Sequence, residues 1–262
     1  MIHVQETLVG TNEQLTLKKW TMDHGLITIH HPPCPMNISP PFKLLLSLIN
    51  CSMAGIYIHI PFCKKACHYC NFHFSTSRDK MTDMVNAILE EALLQCSYLP
   101  EKVETIYFGG GTPSLMTKYE VRSMINRLRE LFDVAENAEI TLEANPDDIT
   151  EAQLAGWQEA GISRLSVGIQ SFFDEDLQWM NRAHTAQQAM HCIELAQKHG
   201  FTNITIDLIY GTPALTDEKW KQNVETALSL NIPTLSCYAL TVETKTVMHK
   251  SIAGHKSEDG GT

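Results

Sequence analysis

No apolar run in this 262-residue sequence is long enough to cross a bilayer. The longest aliphatic stretch, LLLSLI at Leu44 to Ile49, falls far short of the ~20 residues a spanning helix needs. Positive charge is also scarce: 20 Lys and Arg stand against 30 Asp and Glu, for a net charge of −10. That argues against a general nucleic-acid binder, which carries a basic surface, although a local basic pocket stays open. The eight cysteines are too sparse for a disulfide scaffold. No basic segment followed by a long apolar run and a small-residue cleavage site opens the chain, so no secretory signal is expected. A reducing cytoplasm is the expected compartment, where clustered cysteines bind metal more often than they pair. The hydrophobic share, 44%, is that of an ordinary globule with room for one large α/β domain or two small ones.

The two ends differ from the middle. Residues 1–52 show no lasting periodicity, and HHPPCPMNISPPF (His30 to Phe42) reads as loop or disorder. Met53 precedes a clear strand, AGIYIHIPF, so it is the expected natural start, with residues 1–52 an upstream extension. After Leu240 the chain turns polar and glycine-tipped. The expected division is therefore an extension at 1–52, a core at 53–245, and the truncated start of a further region at 246–262.

The middle alternates strand and helix. Strand-like runs lie at Gly55–Ile60, Glu104–Gly110, Glu139–Ala144, Arg164–Ile169, Ile204–Tyr210 and Thr234–Leu240, most of them read as apolar on both faces. Capping-box patterns open three of the helices between them: Thr117 with Glu120, Thr150 with Gln153, and Thr185 with Gln188. Met124, Ile125, Leu128 and Leu131 share one helix face; Trp220, Val224, Ala227 and Leu228 share another. Both stripes are assigned to the core. Six β–α repeats predict a parallel sheet with right-handed crossovers, short of the eight that close a barrel. The site then lies beyond the carboxyl ends of the strands.

Polar residues collect at those ends. Strand one leads into Cys63, Cys67 and Cys70, and strand two into GGGTP, Gly109 to Pro113. Strands three to six bring Glu143, Gln170, Asp207 and Ala239. Singly, each has a bland account: a tight turn, a helix cap, a satisfied buried group. Their placement at one end of successive strands favours a ligand site with exposed glycine amides.

The cysteines are spaced C-x3-C-x2-C within CKKACHYCNF. Three is an odd number, because structural zinc and an ordinary iron–sulfur cluster each take four protein ligands. A Cys3His zinc site using His68, His73 or His59 rivals an iron–sulfur cluster, and spacing alone leaves both open.

C-x3-C-x2-C after the first strand and GGGTP after the second resemble the radical S-adenosylmethionine (SAM) superfamily. YIHIPFC, YFGGGTPSLM, EANPD, RLSVGIQSF, NRAHT and DLIYGTP are similar to its coproporphyrinogen-oxidase-like branch, from about Ala54 to Lys250. The resemblance implies a partial (β/α)6 parallel barrel. It also implies a [4Fe–4S] cluster on Cys63, Cys67 and Cys70, with one open iron site that takes SAM. Reductive cleavage of SAM then yields a 5′-deoxyadenosyl radical. By the same resemblance, SAM contacts fall on Tyr57, Tyr69, Gly110, Gly111, Thr112, Glu143, Gln170, Arg182, Asp207 and Ala239.

Within the branch, the oxidase that decarboxylates coproporphyrinogen III has a fourth cysteine two residues after the third. Here that position is Phe72, as in the haem chaperones of the branch. This implies haem as cargo, apo-haemoproteins such as respiratory enzymes as recipients, and an electron donor for the cluster. A peripheral membrane association is also implied, and nucleic acid is not. His59, His68, His73 and His184 lie near the site by position, and none is singled out as a haem ligand.

Overall fold

The computed structural model describes residues 54–244 and 246–250, together with the backbone of three short strands at 7–11, 14–18 and 27–30. These are β1 (Thr7–Thr11), β2 (Gln14–Lys18) and β3 (Ile27–His30). No strand was read there from the sequence, because strands of four or five residues are too short to set up a lasting period. The rest of the expected extension, and residues 251–262, lie outside the described residues.

Six strands then follow in chain order and pair in that order, all parallel. They are β4 (Ala54–Ile60), β5 (Val103–Gly110), β6 (Val134–Ala144), β7 (Arg164–Gln170), β8 (Ile204–Tyr210) and β9 (Thr234–Ala239). β3 pairs antiparallel with β4, and β1 with β9, so the sheet does not close among the described strands. This is the partial parallel barrel expected. β6 starts five residues earlier than the apolar run suggested, because its first half carries Glu136 and Asn137 in the open.

The connecting helices are α1 (Met81–Leu94), α2 (Lys118–Leu131), α3 (Glu151–Ala160), α4 (Asp174–Trp179), α5 (Ala186–Lys198) and α6 (Asp217–Ser229). Thr117 and Thr185 form full capping boxes, and Thr150 accepts the Gln153 N–H. Each satisfies helix N–H groups that would otherwise lack partners. Thr216 caps α6 in the same way. In α2 the expected stripe is inward, with Met124, Ile125 and Leu128 buried. In α6 Ala227 is buried but Leu228 is 66% exposed. Consecutive helix positions differ by about 100°, and the inward place is taken by Asn223 instead.

The sheet has two unlike faces. Ile56, Ile58, Ile106, Phe108, Ile140, Leu142, Leu165, Val167, Ile204, Ile206 and Leu208 belong to the main apolar core. On the opposite face, register sets Tyr57 beside Tyr107, Tyr107 beside Thr141, Glu143 beside Ser166, Ser166 beside Thr205, and Asp207 beside Ser236. The strands are therefore not apolar on both faces. The second face lines a polar lumen. At its amino-terminal end, Arg164 meets Glu139 at 3.0 Å and donates to Thr205 at 2.6 Å, while Asn203 donates to Glu139 at 3.1 Å.

Candidate cluster and cofactor site

The cysteine loop leaves β4 and is fixed from three sides. Ser75 returns beside Phe62: the Cys63 N–H donates to Ser75 O at 3.0 Å, and the Ser75 N–H to Pro61 O at 2.9 Å. Lys64 reaches Asp147 at 2.6 Å and Asp148 at 2.7 Å, beyond the end of β6. The turn after α4 supplies the third anchor. Asn181 Nδ2 donates to Ala66 O at 2.7 Å, the His68 N–H donates to Met180 O at 3.1 Å, and His68 Nδ1 lies 2.8 Å from Trp179 O. Cys63, Cys67 and Cys70 are free thiols, each partly accessible. Burial pushes the Cys63 thiol up, and Cys70 up to about 11. Among the described residues, no three His, Cys, Asp or Glu side chains are grouped so as to hold a single metal ion.

GGGTP docks onto this loop rather than standing open. The Gly111 N–H donates to Ile60 O at 2.9 Å and the Thr112 N–H to Phe62 O at 2.7 Å. The Gly110 N–H donates to Glu143 at 3.1 Å. The expectation of exposed glycine amides is thus corrected: the Gly110 and Gly111 amides, and that of Thr112 beside them, are engaged within the protein. A Cβ on Gly111 would lie 2.6 Å from Phe62 O and 2.7 Å from Ile60 O, so only glycine permits this approach.

The lumen carries the charge. Glu143 accepts from Tyr107 at 2.8 Å as well as from Gly110, and burial pushes its carboxyl up. It caps no helix. Tyr57 stacks on Tyr107 with ring centroids 5.8 Å apart. Asp207 is pushed up to about 7, by burial first and by Glu143 second, and its Oδ1 is enclosed without a partner. Arg182 crosses from the NRAHT segment to the cysteines. Nη1 donates to Cys67 Sγ at 3.3 Å and to the Tyr69 hydroxyl at 3.5 Å; Nη2 donates to Asn145 Oδ1 at 2.7 Å and Gly168 O at 2.8 Å. Gln170 ends β7 with φ 70°, in the left-handed region. Ala239 ends β9, exposed, beside Tyr210.

The structure thus brings nearly all of the expected site residues to one end of the sheet. Sequence reasoning missed Asn145, Tyr107, Asn181 and Lys64, which act through contacts between distant segments. All four sat inside quoted motifs (CKKACHYCNF, YFGGGTPSLM, EANPD and NRAHT), but nothing local marked them out from their neighbours. Of the histidines, His184 is buried, bonds Ile169 O at 3.0 Å and is held down to about 4 by burial and the Arg182 charge. His59 lies 3.4 Å from the Tyr57 hydroxyl, and His73 is exposed.

Residues 57–227 match the family model described as the radical SAM superfamily. The chain belongs to the radical SAM superfamily. Among curated relatives, the haem chaperone HemW of Haemophilus influenzae is 37% identical over 74% of this chain and 52% of its own. HemW of Bacillus subtilis is 35% identical over 75% and 53%. A mouse protein, radical S-adenosyl methionine domain-containing protein 1, mitochondrial, is 35% identical over 76% and 46%. The chain spans about half the length of the curated relatives it matches. Among solved structures, the radical SAM coproporphyrinogen III oxidase HemN of Escherichia coli aligns with TM-score 0.65 and 27% identity, over 77% of this chain and 52% of its own. This radical SAM chain therefore falls in the coproporphyrinogen-oxidase-like branch, beside its haem-chaperone members.

Family membership implies a [4Fe–4S] cluster and SAM. The residues present fit both. Three soft thiol donors sit on one anchored loop at the lumen mouth. The enclosed Asp207 Oδ1 lacks a partner within the protein, as a ligand-binding carboxylate would before its ligand arrives. Among the described residues, no helix is long and apolar enough to cross a membrane.

Proposed function

We propose that the chain is the radical SAM core of a haem chaperone. In this reading it binds haem and delivers it to apo-haemoproteins such as respiratory enzymes, in the cytoplasm or an equally reducing compartment. Cys63, Cys67 and Cys70 hold the cluster and leave one iron for SAM. When bound, cluster and SAM supply one-electron radical chemistry. The chain's own residues position and shield. Glu143 and Asp207 accept hydroxyls, Gln170 offers its amide, Tyr57 and Tyr69 wall the cleft, and Gly110, Gly111 and Thr112 let the ligand lie close to backbone. Ala239 lines the far side. The core spans 53–245, an external electron donor reduces the cluster, and any membrane contact is peripheral.

The observation that carries the chaperone reading is Phe72. It stands 43% exposed two residues after Cys70, where the oxidase of this branch resembled above has a cysteine. The oxidase is the second reading, favoured by the HemN neighbour. A zinc-stabilised domain is the third reading, tested by the iron and sulfide content of the reconstituted protein.

The test is haem retention. The cluster is reconstituted without oxygen, haem is added, and the protein is passed through gel filtration. Haem co-eluting at a defined ratio with the cluster intact is expected. Haem lost from a cluster-loaded protein would overturn haem binding by these 262 residues. Cys67→Ala is expected to abolish cluster uptake; full iron and sulfide in that variant would refute the ligand assignment.

A further inference from the structure

We infer that Arg182 tunes the cluster's reduction potential through Cys67. This rests on the cluster reading above and goes beyond the SAM contact expected of this residue. The guanidinium lies deep in the site, and it is the one cationic side chain bonded to a cluster cysteine among the described residues. Its fork is aimed by neutral acceptors: Asn145 Oδ1 at 2.7 Å and Gly168 O at 2.8 Å hold Nη2, which directs Nη1 at Cys67 Sγ, 3.3 Å away.

Arg182 makes no salt bridge to a carboxylate among the described residues, although other Lys and Arg side chains do, on the surface and in the lumen. The Asp147 carboxylate acts on Arg182 only from beyond ion-pair distance, so the partly buried guanidinium gains from a closer anion. A cysteine that ligates iron is a thiolate, and it supplies that anion. Gly168 leaves room for the ends of both side chains. A Cβ there would lie 2.9 Å from Gln170 Nε2 and 3.3 Å from Arg182 Nη2.

The consequence for the electron step is direct. One-electron reduction adds a negative charge to the cluster. A fixed guanidinium and an N–H···S bond stabilise the more negative state, so they raise the potential. Arginine stays charged throughout, so the effect does not depend on its own titration. Arg182 acts through Cys67 and is a positioning residue rather than a catalytic one.

The test uses the full chain with its cluster reconstituted and no SAM added. Reduction is titrated with dithionite and mediators and followed by electron paramagnetic resonance. Arg182→Gln is expected to load iron normally and to shift the reduction equilibrium roughly tenfold against reduction, about 59 mV for one electron. Arg182→Lys should fall between, because it keeps the charge and loses the fork. Asn145→Ala keeps the guanidinium but removes one aiming acceptor, and should shift the potential the same way by less; it decides the matter if Arg182→Gln takes up no cluster. An unchanged potential in loaded Arg182→Gln, with SAM affinity alone reduced, would overturn the inference and leave Arg182 a ligand contact. Failure of the unsubstituted protein to take up any cluster would instead overturn the cluster reading itself.

Discussion

Asp207 is the least settled carboxylate in the lumen. Its folded-state pKa of about 7 lies above the ordinary 3.8, because burial and Glu143 both oppose its charge. Between those values the folded state holds a proton that the unfolded chain has released. Folding stability is therefore expected to fall as pH rises from about 4 to about 7 and to level off above. The upper limit is roughly 4 kcal/mol, at ~1.4 kcal/mol per unit. Asp207→Asn should flatten that slope, as read by urea unfolding of both proteins across this window. Parallel slopes would show that Asp207 ionises normally. The position of Asp207 was legible in ITIDLIY; its burial was not, since it depends on Ser236 from the adjacent strand and Glu143 from two strands away.

At the scale of elements, the end of β7 stores strain. Gln170 has φ 70°, and the Ser171 N–H donates back to Ile169 O at 3.0 Å. This is a γ-turn of the rare, positive-φ kind. A buried network pins it: Ser171 to Asp176 at 2.9 Å, Thr212 to Asp176 at 2.6 Å, and Asn223 to the Phe172 N–H at 2.7 Å. Gln170→Gly should relieve ~1 kcal/mol of strain and raise Tm by roughly 2–4 °C, while weakening SAM binding through the lost amide. Gln170→Ala should lose the binding without the gain in Tm. A fall in Tm for the glycine variant would show that the turn is unstrained. Strands, caps and the order of motifs were legible because each is a local pattern. The polar inner face was written in EITLEA, RLSVGI and ITIDLIY too. It was missed because Thr, Ser and Gly there were taken only as strand formers, not as markers of a face. α4 is six residues long, too short for a helical period to show. Asn223 drew no notice, since nothing local announces that a helix asparagine will accept from a distant turn.

The whole molecule poses the question of which activity a single position can decide. The cluster loop, the glycine turn and the lumen are parts that both the chaperone and the oxidase reading require. Phe72→Cys alone is therefore expected not to create coproporphyrinogen decarboxylation, because substrate contacts elsewhere must differ as well. Decarboxylated product from that variant, under anaerobic assay with SAM and reductant, would show that the distinction rests on one side chain. The two-faced sheet also bears on how the chain finds its fold. A one-residue slip of β6 or β8 would turn Glu143 or Asp207 against the helices and expose isoleucine and leucine to the cleft. Each such one-residue slip thus strands charge in oil and oil in water at once. The arrangement that suits the protein to a polar ligand also rejects its own assembly errors.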